Sequence, residues 1–270
     1  MLENITIGQY VPGTTFLYRA DPRIKIILTV FFMISIFLIR NYFYLAVLIV
    51  FILTVIVVSD IPLNYILRTL KPILFIIIFT AVLNIFFTKG TSLFRFGYIN
   101  ITYEGIDSTV RMVMTLSLLM IGASILTLTT TPILLTDGIE KLMTPASKIG
   151  IPSHEIAMMM TIALRFIPTL LEETGKIIKA QSSRGADFDS GNIIKRAKSF
   201  VPVLVPLFIS AFRRADELAN AMESRCYRGS EGRTRMKQLK LGMIDFWISL
   251  SLIVFIAGLL YLQSIRFLGF

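Results

Sequence analysis

Apolar positions along the chain are gathered into blocks, and the spacing of the blocks sets an expected architecture. Runs at residues 24–39, 42–59, 72–87, 106–129 and 246–262 reach or approach the roughly 20 apolar residues that cross a bilayer at about 1.5 Å per residue. They predict five membrane-spanning helices. A turn-rich segment of more than twenty residues precedes the first run, and Arg40 follows it in place of a small-residue cleavage site, so the sequence predicts a retained helix and not a cleaved leader.

Between 130 and 243 the pattern changes. Residues 156–171 and 200–212 are apolar, but the first holds Pro168, the second holds Pro202 and Pro206, and both run on into charged sequence. In the first, Ile156, Met160, Ala163, Ile167, Leu170, Thr174 and Ile177 recur at alternating steps of four and three. Leu204, Phe208, Ala211, Ala215, Leu218 and Met222 do the same in the second. Such spacing predicts two amphipathic helices whose stripes pack helix on helix, with Glu172, Glu173, Lys176 and Lys179, and Arg213, Arg214, Asp216 and Glu217, lying off the stripes.

Charge then sets the orientation. Of the 27 Lys and Arg residues, 17 fall within 130–243, which assigns that region to the cytoplasm by the positive-inside bias. Were both apolar segments to cross the bilayer, Lys176, Lys179, Arg184, Lys195, Arg196 and Lys198 would be stranded outside. The two segments are therefore expected to rest against the membrane with their first halves and to reach into the cytoplasm with their second. Arg19, Arg23 and Lys25 before the first span, with Arg68 and Lys71 before the third, place the N-terminus inside. Loops 40–41 and 88–105 then face out, as does the C-terminus. The expected fold class is an all-α integral membrane protein of about five transmembrane helices plus long amphipathic cytoplasmic helices. Its expected parts are 1–129 with four spans, 130–243 as the cytoplasmic region and 244–270 with the last span.

Composition agrees: 55% hydrophobic residues, 16% charged residues and a mean hydropathy of +0.75 describe a polytopic membrane chain, not a soluble domain of 270 residues. Several chemistries drop out. The single Cys226 forms no intrachain disulfide, and one His with one Cys supplies no zinc site. No Gly-x-x-x-x-Gly-Lys-Ser/Thr phosphate loop occurs, so energy would have to come from other subunits. Nucleophile–base pairs are lacking and intramembrane charges are sparse. The net charge of +10 fits membrane orientation better than nucleic-acid binding.

Two short arginine segments remain, Ser183-Arg184-Gly185 and Ser224-Arg225-Cys226, one at the end of each amphipathic stretch. Ala180 and Ala221 stand four residues before the two arginines. Gly185 suits the left-handed residue that closes a helix, leaving Arg184 in the last turn, where a cation complements the helix dipole. That structural role competes with a functional one. A planar, permanently charged fork suits carboxylates and carbonyls of a partner, and a bond of that type contributes on the order of 1.5–3 kcal/mol. Cys226 carries a side chain where a left-handed cap prefers none, which predicts a second helix running on through Tyr227 and Arg228 to stop at Gly229, with Arg228 as an auxiliary contact.

Elsewhere, Asp21 is expected to cap a helix that starts at Pro22. Asp107 and Arg111 are expected to form an i, i+4 pair near the outer start of the fourth span. His154, behind Pro152 and Ser153, is expected to be structural.

Arg165-Phe166-Ile167-Pro168, then Ser183-Arg184-Gly185, then Ala221-Met222-Glu223-Ser224-Arg225, together with the N-terminal Gly8-Gln9-Tyr10-Val11-Pro12-Gly13 and Asp21-Pro22-Arg23-Ile24-Lys25, resemble the transmembrane T component of energy-coupling factor (ECF) transporters over essentially the whole chain. The resemblance implies that Ser183, Arg184 and Gly185, and Ser224, Arg225 and Cys226, dock into grooves on two ABC-type ATPase subunits, with Arg228 as an auxiliary. It implies ATP and Mg in those ATPases and no cofactor in this chain. It also implies a membrane substrate-binding S component, against which Ile156, Met160, Ala163, Leu204, Phe208 and Ala211 are the candidate facing residues. The family's usual glycine is replaced by Cys226. The N-terminal run resembles the form shared among vitamin-binding partners, in a bacterial or archaeal cell membrane. The residues leave three other readings open: a dedicated cobalt or nickel system, a membrane-embedded lipid-modifying enzyme, and a permease that carries its own substrate.

Overall fold

The computed structural model describes residues 10–39, 41–96, 99–150, 152–188, 192–229 and 239–267. Gly8 and Gln9 of the N-terminal run, and the cations Arg40, Arg233, Arg235 and Lys237, lie outside them. The described helices are, in order, α1 (Phe16–Arg19), α2 (Pro22–Leu38), α3 (Tyr42–Val58), α4 (Leu63–Phe87), α5 (Tyr103–Thr129), α6 (Pro132–Met143), α7 (Ser153–Ser183), α8 (Ile193–Ser199), α9 (Val201–Ser224) and α10 (Met243–Phe267). A hairpin of β1 (Ser92–Phe96) and β2 (Ile99–Thr102) stands between α4 and α5, and a 3-10 segment, Thr144–Ile149, follows α6. The chain is an all-α membrane protein with that one hairpin. It packs as two units, one of residues 8–138 and 239–270 and one built on residues 139–238.

In the first unit, side-chain caps open α2, α3 and α5. The Asp21 carboxylate accepts from the Arg23 N–H ahead of Pro22 at the first helical position, as expected, and Asn41 accepts from the Phe43 N–H to open α3. Burial pushes the Asp21 carboxyl up, but hydrogen bonds from Arg23 outweigh it and hold the group below the usual carboxylate range. Thr102 accepts from the Gly105 N–H at the head of α5.

The core is a seam in which α5 packs against α2, α3 and α4. Phe32 and Ile36 of α2, Leu45, Leu48, Ile52 and Ile56 of α3, and Leu118 and Leu128 of α5 are buried there. The α3 residues recur at steps of three and four, so one face is inside. Phe43, Val50, Leu53 and Val57, on the remaining surface, are equally apolar and exposed. A helix apolar all round suits a bilayer, where backbone groups are satisfied within the helix and side chains meet lipid.

Length separates the helices. The 17 residues of α2 and of α3 rise about 26 Å each, a little short of a hydrocarbon core of about 30 Å. Leu63–Phe87, Tyr103–Thr129, Ser153–Ser183 and Met243–Ile265 are long and apolar enough to cross a membrane. The third of these is α7, which the sequence reading holds at the membrane surface because a crossing would strand cations outside. It is the least apolar of the four, with a mean hydropathy of 1.3 over its most apolar stretch against 2.0–2.3.

Three boundaries differ from the apolar blocks. Helix α4 begins at Leu63, not 72, because Arg68, Lys71 and Pro72 break the hydropathy without breaking the helix. Helices α7 and α9 likewise run through Pro168 and Pro206, each at the loss of one N–H donor. The expected loop 88–105 contains the hairpin, in which Arg95 opposes Asn100 and Phe96 opposes Ile99. Glu104 pins it by accepting from the Thr91 N–H at 2.8 Å.

Candidate functional site

The second unit carries both arginine segments, and its two long helices end in the same way. At the end of α7, Arg184 has φ −90° and ψ 7°, and Gly185 turns left-handed at φ 90°. At the end of α9, Arg225 has φ −91° and ψ 12°, and Cys226 turns left-handed at φ 56°. Hydrogen bonds repeat as well. The Gly185 and Ala186 N–H groups donate to the carbonyls of Ser182 and Gln181, both at 3.0 Å. Those of Cys226 and Tyr227 donate to Glu223 and Met222 at 2.8 and 3.1 Å. Both ends are Schellman closures.

The expected run of the second helix to Gly229 is therefore corrected: α9 stops at Ser224, and Cys226 occupies the cap position that Gly185 fills in α7. The Schellman bonds hold it there against its side-chain penalty, and the Tyr227 hydroxyl, 3.1 Å from the Met158 sulfur, braces the segment beyond. A left-handed non-glycine residue costs on the order of 1–2 kcal/mol, so Cys226→Gly is expected to slow exchange of the Cys226 and Tyr227 amides about five-fold or more. Gly185→Val should speed exchange at Gly185 and Ala186 by a similar factor. Unchanged protection in both would contradict the equivalence of the two ends.

The hydroxyls of the exposed tip serines fold back onto their own helices. Ser183 Oγ donates to the Lys179 carbonyl and Ser224 Oγ to the Ala221 carbonyl, each at 3.1 Å. That leaves the exposed Arg184 and Arg225 as the outward groups.

Helices α7 and α9 run antiparallel: Met158 meets Tyr227, and fifteen residues further along α7 Glu173 meets Arg214. Arg225 lines a groove of about 560 Å³ together with Thr161 and Ile162 of α7. Arg184 lies roughly six turns further along α7, so the two tips are on the order of 33 Å apart at 1.5 Å per residue. The pair is thus a strut with one cation at each end.

Glu173 and Arg214, at 2.9 Å, join the two helices where the sequence reading sets both off the stripes. An oppositely charged pair on two predicted partner helices was the available signal, but the register needed to match them was not. A double-mutant cycle with Glu173→Gln and Arg214→Gln, read by thermal unfolding in detergent, is expected to return a coupling of about 0.5–1 kcal/mol. A coupling of zero would contradict the tie.

A family described as cobalt transport protein matches residues 13–236. A protein of Ruminiclostridium cellulolyticum named energy-coupling factor transporter transmembrane protein EcfT is 60% identical over 267 residues, covering 99% of this chain and 100% of that one. The chain belongs to the T components of energy-coupling factor transporters. Relatives of the same name share 55% identity over 258 residues in Clostridium kluyveri (95% of this chain, 96% of that one) and 44% over 265 residues in Bacillus subtilis (98% and 100%). As a T component it is a membrane subunit of a transporter, which displaces the lipid-modifying enzyme as a reading.

In this T component the two stripes do not form a buried seam. Met160, Ala163 and Ile167 of α7 and Leu204 and Phe208 of α9 are exposed, with Phe208 at 60%, while Ile156 and Ala211 are half-buried. Leu170, Thr174, Ile177, Leu218 and Met222 are half-buried too, so each stripe is mostly exposed over its first half and partly covered over its second. Arg228 is exposed and lines the same groove as Arg225.

The other expected polar residues have structural settings. His154 Nδ1 lies 3.1 Å from Glu140 Oε1. Asp107 and Arg111 are joined through Tyr42, whose hydroxyl donates to Asp107 Oδ1 at 2.6 Å and whose ring lies 5.3 Å below the Arg111 guanidinium.

Proposed function

We propose that this T component transmits ATP-driven movement of two cytoplasmic ATPase subunits to a separate membrane S component that binds the transported micronutrient, a vitamin. Arg184 and Arg225 dock one ATPase each, with Ser183, Gly185, Ser224 and Cys226 forming the caps that present them and Arg228 as an auxiliary contact. ATP and Mg are held by the ATPases. Ile156, Met160, Ala163, Leu204, Phe208 and Ala211 face the S component. The concentration of 17 of the 27 cations within 130–243 supports a cytoplasmic placement of the arginine tips and an N-terminus on the same side.

One observation carries this reading: two cations in matching helix closures at opposite ends of one antiparallel pair. Two equivalent ends on the order of 33 Å apart, about the width of a small domain, give each of two ATPase subunits its own docking point. Copurification of the ATPases with the Arg184→Glu, Arg225→Glu variant tests it, and undiminished assembly would sink it. A dedicated cobalt system is a second reading, favoured by the description of the matching family. Uptake of labelled vitamins against labelled Co²⁺ by cells carrying the complete transporter separates the two.

A further inference from the structure

Both chain connections to the 139–238 unit are bonded to one short segment at the start of α2. On the outgoing side, Lys25 Nζ donates to the Thr129 carbonyl at 3.1 Å and to Thr130 Oγ1 at 3.3 Å. Eight residues after Thr130, Gly138 is so close to this segment that a Cβ there would stand 3.1 Å from Ile26 Cδ1 and 3.2 Å from Pro22 Cβ. On the returning side, Arg23 Nη2 donates to the Leu239 carbonyl at 3.3 Å, and the Asp21 N–H donates to Asp245 Oδ1 at 2.7 Å. The other Asp245 oxygen accepts from the Gly242 N–H at 2.8 Å. Gly138 is the last residue of the first unit before the chain leaves it and Leu239 the first after it returns.

The positive-inside bias accounts for cations near the end of a span and does not call for their burial among carboxylates. Here Asp21, Lys25 and Asp245 are all buried, at 5, 7 and 5% exposure. Buried charges cost more than apolar residues of the same size, and what they add is one defined geometry. The geometry they define gathers the head of α2, the end of α5, the start of α6 and the head of α10.

We propose that Asp21, Lys25 and Asp245 are positioning residues that root the outgoing and returning ends of the 139–238 unit at one point, so that its movement reaches α2, α5 and α10 together. The use of that root in transport rests on the coupling function proposed above; its existence does not.

Two variants approach the root from different sides. Asp245→Asn keeps the shape and removes a charge, and Gly138→Val leaves every charged group in place while pushing α6 off Pro22 and Ile26. Hydrogen exchange of the full chain in detergent needs neither ATPase nor S component. In Asp245→Asn, protection is expected to fall at least five-fold at 239–246 and also at 129–135, which the substituted residue does not touch. In the assembled transporter in proteoliposomes, substrate moved per ATP hydrolysed is expected to fall at least five-fold in both variants while ATP hydrolysis continues, and Lys25→Arg should retain more than Lys25→Met.

Loss of protection confined to 239–246, or parental transport per ATP in either variant, would overturn the proposal. If Asp245→Asn does not assemble, Gly138→Val and its milder form Gly138→Ala decide. Undiminished ATPase assembly in the arginine-tip variant speaks only against docking, because the exchange result stands without it.

Discussion

Reversing both tip charges, Arg184→Glu with Arg225→Glu, is expected to weaken ATPase association at least 100-fold, so that the T component copurifies from mild detergent without its ATPases. Each lost charge-assisted bond removes about 1.5–3 kcal/mol, and two such losses alone reach that factor before any repulsion is added. The single variants should each lose about 10-fold or more, and by similar amounts, since Arg184 and Arg225 are presented by matching closures. Folding should be spared: both side chains are exposed, and a surface change of this kind ordinarily costs under about 0.5 kcal/mol plus a small unfavourable helix-dipole contribution. A much larger effect at one tip than at the other would show that Cys226, although in the cap position, presents its arginine differently.

The second large effect is expected on the apolar surface. Phe208→Asp combined with Met160→Asp should abolish retention of the S component while leaving ATPase copurification at the parental level. Burying a large apolar side chain contributes about 1.5–3 kcal/mol, and two positions lost together would lower affinity about 100-fold or more, with the cost of burying a carboxylate in addition. Both residues are exposed and neither is one of the arginines themselves, so ATPase copurification measured beside S-component retention tells the two partners apart. Loss of both partners together would indicate that the helix pair itself had come apart. Retention of the S component would remove this surface from the account.

Much of the fold is legible in the chain because bilayer helices are chosen by apolar length, and Asp21-Pro22 announces its own helix start. The beginning of α4 was not, since Arg68, Lys71 and Pro72 lower the local hydropathy while leaving all but one backbone bond of the helix intact. The hairpin is hidden for a related reason: strands of five and four residues between two long helices carry little periodicity to set against a loop. At the site, the arginines and the Gly185 cap follow from sequence. Cys226 does not, because side-chain preference disfavours a conformation that the Schellman bonds and Tyr227 nonetheless hold.

The stripes teach the same lesson from the other side. Their period is a property of one helix and is legible in the chain, but which face meets the neighbouring helix depends on register. That register is marked by Glu173 with Arg214 and by Met158 with Tyr227, contacts between residues more than forty positions apart. Antiparallel pairing, and with it the wide separation of the two tips, therefore came only with the structure.

That separation sets each arginine tip beside its own ATPase subunit in the proposed assembly, and photo-crosslinking tests this directly. Photoreactive residues placed at Ser183 and Ser224 of one T chain, each beside its arginine and exposed, are irradiated in the assembled transporter. The expected product is one T chain joined to two ATPase subunits, with each single-site chain joined to one. Both sites joining the same subunit, or neither joining an ATPase, would contradict it.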